Sequence, residues 1–482
     1  MSKFIFQVDK SNFSEWYSKI ISTAEIADVR YGIAGFIVIR PWGMYIVKEL
    51  YRLFEAELEK RGHQPSLFPT VIPEENLEVE KEHVTGFKPE VFWVTEAGEE
   101  KLERRLALRP TSETAMYPMY KLWIQGRRDL PLKLYQSCSV FRYEKTPRPF
   151  IKGREFLWIE AHDAFATLEE AERQVLEDME TTRSVLYEKL GVPIMAFQRP
   201  EWDKFPGAVH TYAHDVLMPD GRVCQVASTH LLGQNFSKAF NILFLDEDGQ
   251  RKHVYQTCYG IGISRMVAAL ISIHGDSGGL ILPFPVAPVQ VVIVPIPGEE
   301  TARVLEKCRQ LEQQLREAGF RVYLDEAPER TPGYKYYYWE MKGVPVRIEV
   351  GKQEVESKVL TLARRDTREK IKVEEEKLVE AIRELAEDML RNLKARGEAS
   401  LKSRIRDASS FSELKQYLEE GGYVRAGFCS TGWEGEACAA KIQEETRGRV
   451  RGFRIDIEEE PEGSCIVCGK PAKHVVYIAR QY

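Results

Sequence analysis

Strand-like stretches at residues 106–108, 132–135, 139–143, 156–161, 223–227 and 240–245 follow one another with a single long helical pattern among them. A parallel strand pair needs a crossover of a dozen or more residues, usually a helix, to bring the chain back to the same edge. Strands so poorly supplied with crossovers must pair mainly antiparallel. The first block therefore predicts an α+β layout, a largely antiparallel sheet carrying a few helices. Those helices can be read directly. Ile46, Leu50, Leu53, Phe54 and Leu58 recur at helical spacing over residues 44–61, and Gly62 stops the run before an extended, proline-punctuated stretch over 67–73. Thr167 and Glu170 form a capping box that opens the long helix, and Gly191 closes it.

Two further blocks follow. After Pro283-Phe284-Pro285, read as a linker, come a buried-type strand at 289–294, a helix at 301–318 ended by Gly319, a strand at 320–324, and strands at 344–350 and 358–363. This pattern predicts a small α/β domain of βαβ character. A charged helix at 376–396 leads to a last block with a capping box at Ser410 and Glu413, a cysteine cluster and the terminal Tyr482. The expected domains are 1–285, 286–400 and 401–482, in keeping with a 482-residue chain too long for one ordinary core.

Composition excludes several classes. At 43% hydrophobic and 29% charged, the chain is not disordered. No apolar run approaches the ~18 residues of a membrane span, and residues 1–16 lack the apolar stretch of a signal peptide. A soluble, cytoplasmic protein is expected. The net charge of −6 neither advertises nor excludes nucleic-acid binding, since a local basic face can sit on an acidic protein. Of eight cysteines, Cys138, Cys224, Cys258 and Cys308 are dispersed, whereas Cys429, Cys438, Cys465 and Cys468 crowd the end. In an intracellular chain that asymmetry favours a metal site over disulfides. Four thiolates suit a closed tetrahedral zinc site of structural role. Cys465-x2-Cys468 has knuckle spacing, but the eight residues between Cys429 and Cys438 exceed the usual two to four and read as a loop insertion. Four unrelated free cysteines are the alternative.

Four constellations carry chemistry. In Val140-Phe141-Arg142-Tyr143-Glu144, strand periodicity puts Arg142 and Glu144 on one face, where an arginine can clamp a phosphate bidentately and the acid can accept from an adenine amino group. A hairpin with a solvated basic loop is the plainer reading. In Cys258-Tyr259-Gly260-Ile261-Gly262-Ile263-Ser264-Arg265, a glycine turn opens an apolar helix from which Arg265 projects; tight strand–helix packing alone explains most such turns. Arg109-Pro110-Thr111-Ser112-Glu113 reads as a helix start with Ser112 as cap and Glu113 favouring the dipole. Gln225-Val226-Ala227-Ser228-Thr229-His230 and Gly233-Gln234-Asn235-Phe236 read alone as a polar loop between strands, with His230 a satisfied histidine.

Taken together, in order and spacing, these segments resemble the class II aminoacyl-tRNA synthetases. The helix ending in the Pro69 strand is similar to their motif 1, the Arg142 segment to motif 2, and the Gly262–Arg265 turn to motif 3. Arg109 to Glu113, Phe156-Leu157-Trp158-Ile159-Glu160-Ala161-His162, Thr229 to Phe236, Thr331-Pro332-Gly333-Tyr334-Lys335 and Trp339 to Arg347 resemble the prolyl-tRNA synthetase family along nearly the whole chain. The resemblance implies activation of L-proline with ATP and Mg2+, transfer to tRNA(Pro), an anticodon-binding second domain and a zinc-binding third. It implies that Arg142 holds the ATP α-phosphate and the proline carboxylate, that Glu144 reads adenine, that Arg265 contacts the γ-phosphate, and that Gln225 and Thr229 line the nucleotide. Thr111 and Glu113 would bind the imino nitrogen; Trp158, Glu160, His162, Phe205 and His230 would wall the ring. Glu340 and Arg347 could read anticodon bases, and Lys335, Lys342 and Lys352 could meet phosphates. The motif 1 helix implies a homodimer, although intrachain packing would explain its pattern equally.

The length, the cysteine tail and the Trp158 block resemble the archaeal and eukaryotic branch, whereas Cys258 to Arg265 resembles the bacterial form of motif 3. The stretch from Glu160 to Gln225 holds one helix and has no room for the editing insertion of bacterial relatives. An apolar pocket discriminates only ~1–3 kcal/mol per methylene, so misactivation of alanine or cysteine is expected. A sister synthetase of threonyl or glycyl type is disfavoured by the Thr111, Glu113, Trp158, His162 and His230 set. A synthetase-like binding or regulatory protein without catalysis is disfavoured by retention of Arg142 and Arg265.

Overall fold

A computed structural model describes residues 6–83 and 90–482, the side chains of 79–83 excepted; residues 1–5 and 84–89 of the expected first domain lie outside the described residues. The first block is built on strands β1 (Gln64–Pro65), β2 (Leu132–Phe141), β3 (Glu155–Phe165), β4 (Met195–Gln198), β5 (His210–Leu217), β6 (Val223–Gly233) and β7 (Tyr255–Ile261). Among its helices are α1 (Pro41–Lys60), α2 (Glu113–Trp123), α3 (Leu168–Thr182) and α4 (Ile263–His274). The pairings β2·β3, β3·β7, β7·β6, β6·β5 and β5·β4 are all antiparallel, as the scarcity of crossovers requires. Helix α1 begins at Pro41, a residue suited to the first helical position, and the chain turns out of it at Gly62, φ +87°. Its apolar side chains join those of α4 in the main core. Helix α3 has the expected capping box, Thr167 with Glu170, and runs on as a π-helix, Arg183–Lys189, before Gly191 turns at φ +70°.

The second block holds β8 (Val291–Pro295), β9 (Val322–Leu324), β10 (Val346–Val350), β11 (Val359–Arg364) and β12 (Lys370–Glu374), with α5 (Thr301–Glu317) and α6 (Pro332–Met341). β8 pairs parallel with β9 and β10, joined by helices as βαβ units require, while β11 and β12 add antiparallel. The proline stretch before β8 is no loose linker. Phe284–Val286 is a 3-10 turn clasped by Arg321, which donates to the carbonyls of Phe284, Pro285 and Ala287.

Helix α7 (Leu378–Lys402) leads to the last block: β13 (Ile405–Asp407), α8 (Phe411–Glu420), β14 (Tyr423–Phe428), α9 (Glu436–Thr446), β15 (Arg449–Arg454) and β16 (His474–Ala479). Its strands do not form a separate sheet. β15 pairs antiparallel with β4, giving one eleven-stranded sheet in the order β13-β14-β16-β15-β4-β5-β6-β7-β3-β2-β1. The chain end returns to the first block: Tyr482 Oη donates to Asp220 Oδ2 at 2.7 Å, and its ring lies under the guanidinium groups of Arg148 and Arg222.

Candidate active site

Strand pairing assembles the site in cross-strand rows. Gln136, Glu160, Gly260 and Ser228 lie side by side across β2, β3, β7 and β6; Leu134, His162, Cys258 and His230 form the next row. Side chains alternate along a strand, so both rows project to one face, above which a cleft of about 560 Å3 opens. Thr111, Glu113, Trp158, Phe205 and His230 line it, as do Arg142, Glu144, Gln225 and Arg265.

Strand β2 ends at Phe141, so Arg142 and Glu144 lie just beyond it, although Arg142 N still donates to Arg154 O at 2.9 Å. Arg142 Nε donates to Pro110 O at 2.9 Å, and its guanidinium sits 5.4 Å from both the Phe156 and the Trp158 ring centres. Arg265 donates to Ile151 O and Gln225 O at 3.1 and 2.9 Å. The side chains of both arginines thus hydrogen-bond only backbone carbonyls, with no carboxylate paired to either among the described residues. Burial, and then the charge of Arg265, lower Arg142 from the ordinary guanidinium range. In the same cleft the Glu113 carboxylate accepts from Thr111 Oγ1 at 2.5 Å and from Cys258 Sγ at 3.3 Å, and forms no salt bridge among the described residues. The cleft therefore presents two cations without a carboxylate partner and a carboxylate without a salt bridge, an arrangement suited to a ligand that carries both a cationic and an anionic group.

His230 bonds Thr211 Oγ1 and Ser228 Oγ, and its ring lies 4.6 Å from that of Phe205. Burial, then the charges of His162, Arg142 and Arg199, push it down to about 3, so it is a neutral wall. Glu160 and His162 lie one layer below the cleft, roofed by the turn that starts α2. The Glu160 carboxylate accepts from Ser112 N at 3.1 Å, Ser112 Oγ, Gln136 Nε2 at 2.7 Å and His162 Nε2 at 3.1 Å. Burial works to raise the Glu160 carboxyl, but the His162 bond and charge, with Ser112 and Gln136, hold it below the usual range. Burial works to lower His162, but the Glu160 bond and the charges of Glu113 and Glu160 hold it above the usual range. Ser112 is thereby spent on Glu160 and makes no side-chain cap for α2, contrary to the sequence reading.

Two other expectations change. The segment from Gln225 to His230 is not a polar loop but part of β6. With Ser228 and His230 facing the cleft, alternation turns Thr229 to the opposite face, where its Oγ1 donates to Asp178 Oδ2 at 2.8 Å. Thr229 thus does not line the cleft, contrary to expectation; Ser228 does, together with Phe156 and Cys258. Period-two alternation would have found Ser228 had the stretch been read as a strand. In the second block Arg347 bonds Glu340 at 2.7 Å and Glu349 at 2.9 Å, with Tyr336 stacked 4.1 Å from its guanidinium. Lys335 is buried on Asp325 O at 2.6 Å, and Lys342 on Ala24 O and Glu25 Oε2 at 3.0 and 2.8 Å, so neither offers a surface charge to phosphates. Lys352 is half exposed and paired with Glu300.

The four tail cysteines converge, their sulfurs all within 4.8 Å of one another and those of Cys429 and Cys438 3.8 Å apart. The wide Cys429–Cys438 spacing is a turn and helix start. The chain leaves β14, turns through Trp433–Gly435 and brings Cys438 back on the first turn of α9. Gly435 is obligatory there, since a Cβ would lie 1.9 Å from Ser430 O. The backbone N–H of Lys470 draws the Cys468 thiol down to about 7. A clustered set of four thiols, one of them readily ionised, fits zinc.

This fold and cleft are those of a class II aminoacyl-tRNA synthetase. Residues 92–274 match the tRNA synthetase class II core domain (G, H, P, S and T), and residues 290–385 the anticodon binding domain. Residues 411–482 match the C-terminal domain of prolyl-tRNA synthetase. The proline-tRNA ligase of Thermofilum pendens is 59% identical over all of both chains, and that of Pyrococcus abyssi 46% identical over 98% of each. The solved Giardia lamblia prolyl-tRNA synthetase in complex with prolyl-adenylate superposes with a TM-score of 0.95 at 37% identity, covering both chains fully. The chain belongs to the prolyl-tRNA synthetase family.

Proposed function

We propose that the protein condenses L-proline with ATP to prolyl-adenylate and pyrophosphate, then transfers the prolyl group to the 3′ end of tRNA(Pro). The observation that carries this is the cleft's charge set: Glu113 without a salt bridge lines the same cleft as Arg142 and Arg265 without carboxylates. Glu113 and Thr111 take the imino nitrogen, while Phe205, His230 and Trp158 wall the ring above the Glu160–His162 layer. Arg142 lies between the proline carboxylate and the α-phosphate, Arg265 on the γ-phosphate, Glu144 on the adenine amino group, and Gln225 and Ser228 along the nucleotide. No side chain acts as nucleophile. The proline carboxylate attacks the α-phosphorus, so acceleration comes from positioning and from charge stabilisation by the two arginines. Class II synthetases use ATP with Mg2+, which adds neutralisation of the phosphates.

Residues 1–285 are read as the aminoacylation domain, 286–400 as anticodon-binding with Glu340 and Arg347 near the bases, and 401–482 as a domain held by zinc on Cys429, Cys438, Cys465 and Cys468. A homodimer is supported by the motif 1 resemblance and by the exposure of Tyr31, Ile33, Tyr45 and Leu67. No helix among the described residues is long and apolar enough to cross a membrane, in line with a cytoplasmic enzyme. Pyrophosphate exchange into ATP, run with each of the twenty amino acids, tests the reading. The expected result is strong exchange with proline and weak exchange with alanine or cysteine. Strong exchange with another amino acid would overturn the pocket assignment.

A further inference from the structure

Beneath the seam where β15 joins the first block runs a buried line of charge that ends at the cleft. Arg451 on β15 grips Asp215 on β5 with Nε to Oδ2 at 2.7 Å and Nη2 to Oδ1 at 3.1 Å. Arg199, the residue after β4, grips the same carboxylate from the other side, with Nη2 to Oδ1 at 2.7 Å and Nη1 to Oδ2 at 3.2 Å. That same Nη2 reaches on to Gln225 Oε1 at 2.9 Å, and Nη1 donates to Arg451 O at 2.7 Å. Arg199, Asp215 and Arg451 are 4%, 1% and 2% exposed. Asp215 sits at a break in the β5–β6 register, between His214 and Asp215, and such bulges re-aim a side chain.

Stability alone does not explain the line. Burying three charges costs several kcal/mol for each ion, and apolar replacements of such triads are often as stable or more so. What the line does accomplish is geometric. A guanidinium only donates, so Arg199 must face the amide oxygen of Gln225, which turns Nε2 toward the cleft as a donor. Arg265 fixes the backbone carbonyl of the same residue.

We infer that Arg451, Asp215 and Arg199 are a positioning relay through which the C-terminal block holds the Gln225 amide in the nucleotide site as a hydrogen-bond donor. None of the three relay residues touches substrate. The inference rests on the proposed reading in which Gln225 lines ATP.

The test is a double-mutant cycle in pyrophosphate exchange on the full chain, between Arg451→Lys, which loses the two-pronged grip but keeps the charge, and Gln225→Ala. Arg451→Lys is expected to raise KM for ATP about ten-fold, ~1.4 kcal/mol, and to leave KM for proline within about two-fold. In the Gln225→Ala background it should add less than about two-fold. A merely structural role predicts equal losses for both substrates and effects that multiply with Gln225→Ala; either result overturns the relay. If Gln225→Ala itself leaves KM for ATP unchanged, the nucleotide role of Gln225 fails and the relay with it. If Gln225→Ala raises it and Arg451→Lys does not, the relay alone fails. Should Arg451→Lys not fold, Gln481→Met removes only the acceptor of Arg451 Nη1. It is expected to raise KM for ATP about two- to three-fold, and no change overturns the inference.

Discussion

Replacing Glu160 by glutamine tests the buried layer under the cleft. Every group around this carboxylate donates: Ser112 N and His162 Nε2 face Oε2, and Ser112 Oγ and Gln136 Nε2 face Oε1. A glutamine amide must turn its NH2 toward one of these donor pairs whichever way it is flipped. Removing one partner of a buried charge pair costs about 3–5 kcal/mol, a fall in Tm of about 5–8 °C for a cooperative unit of roughly 300 residues. The cost depends on pH. His162 is held above its ordinary 6.5, so the stability it contributes is fully present below that value and is lost as pH rises through the raised folded pKa. Glu160 is held below its ordinary 4.5, so its contribution is present above 4.5 and is lost as pH falls through the lowered value. The gap between the wild-type protein and Glu160→Gln is therefore widest between 4.5 and 6.5, and above 6.5 it closes by up to about 1.4 kcal/mol per pH unit. Burial works to lower His63, but Asp163 holds it above its ordinary value; this residue is common to both proteins and cancels in the difference. Calorimetric Tm values of both proteins at pH 5.5 and 8.5 decide it. A gap below about 1 kcal/mol, or one equal at the two pH values, refutes a protonated His162 paired with Glu160.

Ser228→Ala should raise KM for ATP several-fold, whereas Thr229→Val should leave it within two-fold and cost about 1–3 kcal/mol by stripping a donor from buried Asp178; paired kinetics and denaturation separate the two. The purified chain should carry one zinc, measured by plasma mass spectrometry, and Cys465→Ser should lose it together with the thermal stability of the last block. Lys342→Gln should leave the salt dependence of tRNA binding unchanged, because Lys342 is committed to Glu25 and Ala24; loss of a phosphate contact would shift the slope of log K against log salt by about 1.

The features legible in the sequence are those that depend on local chemistry. Capping boxes at Thr167 and Ser410 and the Gly62 stop arise from residue types within a few positions, and the antiparallel character of the first block from the scarcity of helices between its strands. The resemblance supplies Arg142, Glu113, His230 and Arg265, all of which the fold brings into one cleft. Sequence reading fails where a face or a partner far along the chain decides. Thr229 and Ser228 are adjacent and both hydroxyl-bearing, so only knowing that they lie on a strand, and which face meets α3, separates them. Ser112 has the right type for a cap, but Glu160, 48 residues away, competes for its hydroxyl. Lys335 and Lys342 read as surface charges because their partners, Asp325 and Glu25, are not neighbours in sequence.

The same distance effect explains why the chain divides into three blocks by sequence pattern while two of them share one sheet. Composition and the run of local elements separate the blocks and give the sense of pairing within one, but which strands pair across blocks leaves no mark on either. β4 is short and β15 lies some 250 residues later, yet Phe453 and Arg454 pair with Gln198 and Phe197. A backbone seam of two residue pairs is a weak joint by itself, and a strand can slip in register where neither face specifies it. The Arg199–Asp215–Arg451 line supplies that specification, because a slip of one residue would carry Arg451 to the opposite face and leave Asp215 with one guanidinium instead of two. A seam locked by buried charge cannot loosen gradually, and the residue at its far end, Gln225, lies in the cleft. The C-terminal block is in this way tied, through the inferred relay, to the orientation of the Gln225 amide in the cleft.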